Sequence, residues 1–453
     1  MLYTDIFNAK RFYKMFKDRV RYCSDAGGWY VFDGKKWRKD NGKFVKNFAV
    51  QWHESLQKEI RDTKWEDEDQ LELFSKHVKA SGSNAKLEAM LDLSKSFFHI
   101  ESSDFDNKGF YINCQNGTYD LKNGRYKEHD PSDYLTKISE SDFIKGYKCP
   151  HWIKYLDDIF LGRQELVDFI QRAVGYALTA STEEQCMFIL YGHGRNGKTV
   201  FIETISKILG TYARSSPSST FVKKKNMSVP NDVASLKGAR FVSAIETSEN
   251  VTLDESLIKQ LTGGDKVTAR FLYGEFFEFH PTFKIFMATN HKPNIRGTDT
   301  GIWRRIRMIP FDLKLTEETM DGKIPGRLEK ELPGILNWAI QGYMRWQRDG
   351  LCTPQSVKDA TMEYREEEDD LGQFISDYII EDKNGFVPVN QFKQRFKDVN
   401  GYPKSQKSIA EYMKRIGVPS GRPTFNGSQV RSWMGIRFVN GFDKNQYVDE
   451  SGW

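Results

Sequence analysis

The sequence predicts an α/β protein: a phosphate-binding α/β core, with a mixed α+β region ahead of it and a small basic module behind it. Three observations predict this class. The apolar run Met187 to Tyr191 ends in the glycine-studded "GHGRNGKT" and passes directly into a helix-like pattern. Residues 186–313 alternate strand-like and helix-like stretches, which is the pattern of a largely parallel sheet. Before residue 148, short aromatic pieces punctuated by turn dipeptides alternate with charged helical ones.

Taken in order, "GGWYVFDGKKW" and "YINCQNGTYDLKNGRY" predict hairpins, with Asp33-Gly34 and Asn123-Gly124 as their turn dipeptides. Residues 45–100 between them carry helical patterns. Over 151–180, Leu166, Phe169, Ile170, Ala173, Val174, Ala177 and Leu178 recur at three- and four-residue spacing and predict helix. After the core, residues 327–348 place Ile335, Leu336, Ala339, Ile340, Tyr343 and Trp346 on one helical face. The acidic run Glu366 to Asp370 reads as a solvated helix end or linker. In the tail, "VPVNQFKQRFKDVNGYPKSQKSIAEYMKRIGV" predicts two helices joined by a turn, and "RPTFNGSQVRSWMGIRFV" a two-stranded wing. The resulting divisions are 1–148, 149–185, 186–313, 314–366 and 367–453.

Bulk properties narrow the function classes. The 453 residues suffice for two to four domains, and 39% hydrophobic with 14% aromatic content excludes a disordered chain. Lys and Arg number 67 against 62 Asp and Glu, a net charge of +5 that permits a nucleic-acid partner without demanding one. The five cysteines are dispersed with no CxxC pair, which excludes a disulfide framework and a standard zinc site and fits a reducing compartment. The N-terminus "MLYTDIFNAKRFYKMFKDRV" carries charges throughout and is no signal peptide. No stretch approaches the ~18 apolar residues of a membrane helix. A cytoplasmic protein, in a host cell, is expected, with Asn116-Gly117-Thr118 serving as a turn.

Gly192-x-x-x-x-Gly197-Lys198-Thr199 fits the P-loop pattern. Glycines allow consecutive backbone N–H groups to turn inward on a phosphate, and the following helix presents its positive N-terminus to the anion. Gly192, Gly194, Asn196, Gly197, Lys198, Thr199 and Val200 therefore form the candidate nucleotide site. Lys198 supplies a charge near the terminal phosphates, and the Thr199 hydroxyl helps hold Mg²⁺. ATP and Mg²⁺ are the expected cofactors.

A hydrolytic site of this type needs a carboxylate at the end of a neighbouring strand. "ARFVSAIETSEN" supplies Glu246 at the end of an apolar strand, with Glu249 as a second acid. Farther on, Val267 to Leu272 and Phe276 to His280 predict a hairpin about Tyr273-Gly274-Glu275. The strand Phe283 to Ala288 then delivers Asn290, whose amide can sense a terminal phosphate or simply close a turn. "GIWRRIRMIPF" places Arg304, Arg305 and Arg307 against an apolar strand. An arginine reaching across a subunit boundary can stabilise transition-state charge; three surface arginines paired with carboxylates are the plainer alternative.

In this order, "NCQNGTYDL", "GHGRNGKT", "GARFVSAIET", "LTGGDKVTARFLYGEFFEFHPTFKIFMATNHKP" and "WRRIRMIPF" resemble the superfamily 3 helicases, in their poxvirus, phage and plasmid primase-helicase branch. The resemblance covers about residues 100–450. It implies an AAA+-like P-loop ATPase core, an α+β N-terminal collar promoting oligomerisation, and a C-terminal winged-helix-like module that binds DNA or protein. It further implies a homo-oligomer, usually a hexameric ring, that translocates on single-stranded DNA. Carried over by position, Lys198 and Thr199 would contact phosphate and Mg²⁺, and Glu246 would be the catalytic and metal-binding acid. Asn290 would be the sensor, and Arg305, with Arg304 as second choice, the trans-acting arginine. The 267–280 hairpin would grip DNA. Two departures stand out. Thr247 follows Glu246 where many relatives carry a second acid, and the hairpin tip Leu272-Tyr273-Gly274 has no lysine. Lys266, Arg270 and Tyr273 are the DNA-binding candidates instead.

The acid pair Asp104 and Asp106 reads as a loop, so no primase centre is expected in the N-terminal region, and a separate primase or initiator is a candidate partner. Lys404, Lys407, Lys414, Arg415, Arg422 and Arg431 make the tail basic, which suits phosphate contacts, with a solvated surface as the plainer alternative. The Lys223 to Lys225 run reads as a solvated loop. The expected function is an ATP-dependent replicative DNA helicase of a phage, plasmid or mobile element, acting on single-stranded and forked DNA. The competing expectation is an origin-binding or initiation scaffold whose ATP site only controls assembly.

Overall fold

The computed structural model describes residues 3–223, 231–246, 248, 251–272, 274–295, 300–316, 321–425 and 427–439. Among these, the central feature is a parallel sheet of five strands: β1 (Met187–Tyr191), β2 (Ala213–Ser215), β3 (Phe241–Glu246), β4 (Lys284–Thr289) and β5 (Ile306–Pro310). Their spatial order is β5-β1-β4-β3-β2, and every pairing is parallel. The alternation over 186–313 thus forms the mixed α/β architecture it predicts.

These strands read as unbroken apolar runs because both faces of the sheet are covered. Successive side chains alternate between two buried clusters. Phe188 and Leu190 of β1, Phe286 and Ala288 of β4 and Ile309 of β5 enter one cluster. Met187, Ile189, Ile285, Met287 and Met308 enter the other. The first cluster is closed by the helices Pro150–Ile159, Gln164–Ala177, Lys198–Leu209 and Leu332–Asp349. The second is closed by the helix Glu255–Gly263, the hairpin Val267–Arg270 with Phe276–Phe279, and Tyr364 of the helix Gln355–Glu367.

The helix expected over 327–348 is two helices, Ile324–Glu329 and Leu332–Asp349. Pro333 lies in the first turn of the second, where a missing N–H does no harm, so a new helix starts there. Glu331 between them is 7% exposed and accepts hydrogen bonds from His151 N (3.1 Å) and Trp152 N (3.0 Å). One helix junction therefore caps the start of another helix.

Ahead of the sheet, the helices Asp5–Phe16, Phe44–Asp62, Glu68–Ser81 and Asn84–Ser94 enclose a separate core around Phe12, Phe48, Trp52, Phe74 and Phe98. A three-stranded sheet (Val20–Cys23, Gly28–Phe32, Trp37–Lys39) lies against them. The next three strands, Tyr111–Cys114, Gly117–Asp120 and Arg125–Lys127, contribute Ile112, Cys114 and Tyr119 to the core of the parallel sheet, together with Leu121 just after the second. The buried clusters therefore part near residue 100. Asp106 lies in a turn, as expected, but Asp104 closes the short 3-10 helix Ser102–Asp104: Asp104 Oδ2 accepts from Glu101 N, and Asp106 Oδ1 accepts from Thr136 N at 2.7 Å.

Behind the sheet, the helices Asp370–Tyr378, Val389–Asn400 and Gln406–Arg415 pack around Phe374, Phe392, Phe396, Ile409 and Trp433. No local pattern announces the strand Ile379–Pro388, which pairs antiparallel with Ser432–Phe438 across an irregularity between Glu381 and Phe386. The small hairpin of the wing is Thr424–Phe425 with Ser428–Gln429.

Candidate functional site

The carboxyl ends of β1, β3 and β4 lie side by side, with Thr289 in register with both Tyr191 and Glu246. In open parallel α/β sheets, ligands bind at this edge. Register alone therefore collects the glycine loop after Tyr191, the acid Glu246 and the amide Asn290.

The loop leaves β1 at Gly192, whose N–H donates to Thr289 O (3.3 Å), and enters the helix at Gly197. Gly194 and Gly197 hold φ near +90 and +89, a region that favours glycine. A side chain at Gly197 would also meet Ile159 Cγ2 at 2.7 Å. Asn196 is 3% exposed and donates from Nδ2 to Phe311 O (3.1 Å), which ties the loop to the chain leaving β5. Tyr155 Oη donates to Gly197 O at 2.6 Å from the helix on the other side. Neither Tyr155 nor Phe311 carries a sequence signal for this role, because each is one apolar position among many in its own element.

Lys198 is 5% exposed and points back into the loop. Its Nζ donates to Gly192 O (2.6 Å), Asn196 Oδ1 (3.0 Å) and Asn290 Oδ1 (3.1 Å). Burial pushes its pKa down to about 8. The ammonium thus sits among neutral oxygens with no carboxylate to neutralise it among the described residues, an arrangement suited to an incoming anion. Thr199 opens the same helix turn, is exposed, and its hydroxyl has no partner among the described residues. Val200 follows, half-buried against the helical cluster. Glu246 is 5% exposed, and its Oε1 accepts from Ser248 N at 2.7 Å, which orients the carboxylate at the strand end. A free hydroxyl at a helix N-terminus and an oriented acid are hard oxygen donors of the kind Mg²⁺ takes. Thr247 and Glu249 lie outside the described residues.

The arginines stand elsewhere. Arg305 precedes β5, where its carbonyl accepts from Met187 N (2.8 Å) at the start of β1. It is therefore at the amino edge of the sheet, about 13 Å of strand away from the loop. It is 8% exposed and donates to Thr262 Oγ1 (3.1 Å) and Gly301 O (2.6 Å). Arg304 is exposed and donates to Gln185 Oε1 at 2.9 Å.

The hairpin Val267–Arg270 with Phe276–Phe279 projects from the sheet with Val267 and Ala269 buried. Its outer part exposes Phe271 (50%), Leu272 (69%) and Phe276 (57%). The Arg270 guanidinium lies 5.1 Å from the Phe276 ring centre, and Phe271 stacks on Phe277 at 5.4 Å. Lys266 pairs with Glu278 at 3.3 Å. Tyr273 lies outside the described residues.

The helix Gln164–Ala177 ends beside the amino edges of β3 and β4, where two further cations are buried. Lys284 donates to Thr179 O (2.5 Å), Ser181 O (3.2 Å) and Thr282 O (3.3 Å). Arg240 donates to Tyr111 O (2.7 Å) and Leu178 O (2.6 Å) and stacks on Tyr212. Both close the carbonyl end of a helix, where positive charge is favoured.

A family described as "D5 N terminal like" matches residues 9–161, and a "Family of unknown function (DUF5906)" matches residues 190–305. The chain is 26% identical over 299 residues to "Putative helicase L207/L206" of Acanthamoeba polyphaga mimivirus, covering 61% of this chain and 31% of that protein. It is 26% identical to "Putative helicase 022R" of Frog virus 3, covering 51% and 26% of the two chains. It is 29% identical to "Putative primase C962R" of African swine fever virus, over 29% and 14%. The matched stretch corresponds to about a third or less of these relatives' length. The NrS-1 C-terminal region is similar over 65% of this chain and 76% of that one, at 11% identity and a TM-score of 0.40. The family matches and the viral relatives support a primase-helicase family. No helix among the described residues is long and apolar enough to cross a membrane.

Proposed function

We propose that this chain is an ATP-driven DNA helicase subunit of the superfamily 3, AAA+-like type, acting on single-stranded and forked DNA as a ring. The observation that carries the reading is the meeting of Lys198, Asn290 and Glu246 at one sheet edge, from three strands distant in sequence. The relatives' printed names, helicase and primase, agree with it.

In this reading the backbone of Gly192 to Thr199 holds the phosphates, and Thr199 with Glu246 holds Mg²⁺. Bound ATP and Mg²⁺ supply the phosphoryl group and the charge neutralisation that its transfer requires. Lys198 exchanges its contacts with Gly192 O and Asn290 Oδ1 for terminal phosphate oxygens. The Asn290 amide is then free to turn toward the same phosphate, so its orientation reports whether that phosphate is present. Glu246, held by Ser248 N–H, accepts the proton of the attacking water. Arg304 is exposed and ready to reach a neighbouring subunit. Arg305 would first have to leave Thr262 and Gly301. The hairpin moves with nucleotide state and carries the strand, through Arg270 and the exposed ring faces of Phe271 and Phe276.

Strand displacement on a forked duplex tests this reading. Unwinding is expected to require ATP and Mg²⁺ and to vanish in Lys198→Ala. Glu246→Gln is expected to bind nucleotide but to hydrolyse it about 10²- to 10⁴-fold more slowly. Unwinding that persists in Lys198→Ala overturns the proposal. Unwinding intact in Glu246→Gln, with only assembly altered, favours the scaffold reading instead.

A further inference from the structure

The acidic run Glu366 to Asp370, expected as a solvated helix end or linker, does end the helix Gln355–Glu367, but its carboxylates are engaged in two directions. Toward the sheet, Glu367 accepts from Lys292 Nζ with both oxygens at 2.7 Å, and Glu368 Oε2 accepts from Ile295 N at 2.8 Å. Tyr364, one turn earlier and fully buried, donates from Oη to Pro293 O. These contacts fasten residues 292–295, the loop that leaves β4 through Asn290. Lys292 also lies 5.4 Å from the ring centre of Tyr191, the last residue before the glycine loop. The helix itself is fixed to β5, where Thr361 Oγ1 accepts from Met308 N at 3.1 Å.

Away from the sheet, the next two acids hold the C-terminal module. Asp369 Oδ2 accepts from Tyr412 Oη at 2.8 Å and lies 3.8 Å from the Arg415 guanidinium, both on the helix Gln406–Arg415. Asp370 Oδ2 pairs with Lys404 at 2.6 Å and accepts from Tyr402 Oη at 2.5 Å, in the turn before that helix. Asp369 Oδ1 caps the helix Asp370–Tyr378 through Gly372 N at 3.0 Å. Glu368 is half-buried, and that burial pushes its carboxyl above the usual carboxylate range. Four successive acids thus hold the loop after β4 on one side and the C-terminal module on the other.

We infer that Lys292, Glu367 and Glu368 are positioning residues for the nucleotide site, and that Asp369 and Asp370 make the C-terminal module part of the same tether, so that the module's position sets the placement of Asn290. The inference rests on the reading of Asn290 as the group that meets the terminal phosphate. Asn290 holds Lys198 at 3.1 Å and stands two residues from Lys292, so a shift of the helix end is carried to the amide through one ion pair and a few bonds of backbone. Coupling through contiguous contacts of this kind is worth about 2- to 30-fold in an equilibrium or a rate.

Amide hydrogen exchange of residues 290–295, read on the full chain without nucleotide, tests the tether. Steady-state ATP hydrolysis tests what it positions. K292M and E367A are each expected to speed that exchange and to lower kcat by about 2- to 30-fold, with KM within about twofold. K292M/E367A should be no worse than either alone, because both remove one contact. D369N/D370N keeps an acceptor for the Gly372 cap and removes the charges facing Lys404 and Arg415. It is expected to speed 290–295 exchange and lower kcat as well, which a merely local role for those acids would not do. Exchange in the helix Phe44–Asp62 should stay at the wild-type rate in every variant. A rise there equal to that at 290–295 marks general loss of stability and overturns the inference. Wild-type exchange and kcat in K292M and E367A, or in D369N/D370N, also overturn it. ATP turnover absent from the wild type, with exchange responding as expected, defeats the nucleotide reading and leaves the tether standing.

Discussion

At the residue scale, Lys284 shows how the fold uses a charge to fix geometry. The residue is 1% exposed, and its ammonium makes no ion pair among the described residues and holds the carbonyls of Thr179 and Ser181, after the helix Gln164–Ala177, and of Thr282, just before β4. Burial pulls its pKa well below the usual lysine value of 10.5. The unfolded chain therefore holds this proton more tightly than the folded one. Below the folded pKa both states are charged and the desolvation penalty is full. As pH rises toward 10.5 the folded state sheds the proton first and the penalty declines. Wild-type stability is accordingly expected to rise with pH relative to Lys284→Met on the approach to pH 10.5 from the neutral side. Denaturant unfolding of both proteins across that range checks it, and a constant difference refutes it. The site lysine is built on a different plan. Lys198 is held by three neutral oxygens, and two of them, Asn196 Oδ1 and Asn290 Oδ1, belong to side chains that can turn away.

At the scale of elements, two glycines decide how the helical layer sits on the sheet. A side chain at Gly175 would meet Tyr343 N at 2.0 Å, and one at Gly342 would meet Gln171 O at 2.0 Å. The helices Gln164–Ala177 and Leu332–Asp349 therefore approach backbone to backbone, each through its own glycine. Gly175→Ala is expected to destabilise the protein by about 1–3 kcal/mol through overpacking, measured as a drop in unfolding free energy. An unaffected variant would mean that the helices separate freely. The 267–279 hairpin makes the opposite choice, leaving Phe271 and Phe276 in water at 50% and 57% exposure. If these rings are platforms for bases, Phe271→Ala with Phe276→Ala should weaken single-strand binding by about 1–3 kcal/mol per base stacked. Nucleotide affinity, measured by calorimetry, should hold. Single-strand affinity that survives both substitutions would assign the grip to Arg270 and Lys266.

At the scale of the whole molecule, four buried clusters divide the described residues. Two sandwich the parallel sheet, one forms the N-terminal region and one the basic tail. The glycine loop lies at the carboxyl edge of the sheet and the arginines at its amino edge, so a single chain cannot bring them together without dismantling β1 and β5. The proposed ring can, if the amino edge of one subunit faces the site of the next. Mass photometry with Mg²⁺ and a non-hydrolysable ATP analogue is therefore expected to find a closed ring, about six chains in the reading proposed above. Monomers at all nucleotide and DNA concentrations would defeat the ring.

What is legible in the sequence is what short-range physics controls. The loop of Gly192 to Thr199 announces itself because positive φ and close backbone approach select glycine within a few residues. The alternation over 186–313 announces a parallel sheet because covered strands must be apolar throughout. Glu246 and Asn290 stand out as polar residues ending apolar runs. The tertiary structure decided the rest. Only the register of β1 and β4 puts Asn290 on Lys198, 92 residues away. Only packing sets Tyr155 against Gly197 and buries Arg305 while exposing Arg304. The pairing of Ile379–Pro388 with Ser432–Phe438 joins segments far apart in the chain, beyond the reach of any local pattern. The sequence determined which chemistry the chain carries, because each motif's geometry is local. The tertiary structure decided which of those groups can act on one another, because that depends on contacts that form only when the chain closes on itself.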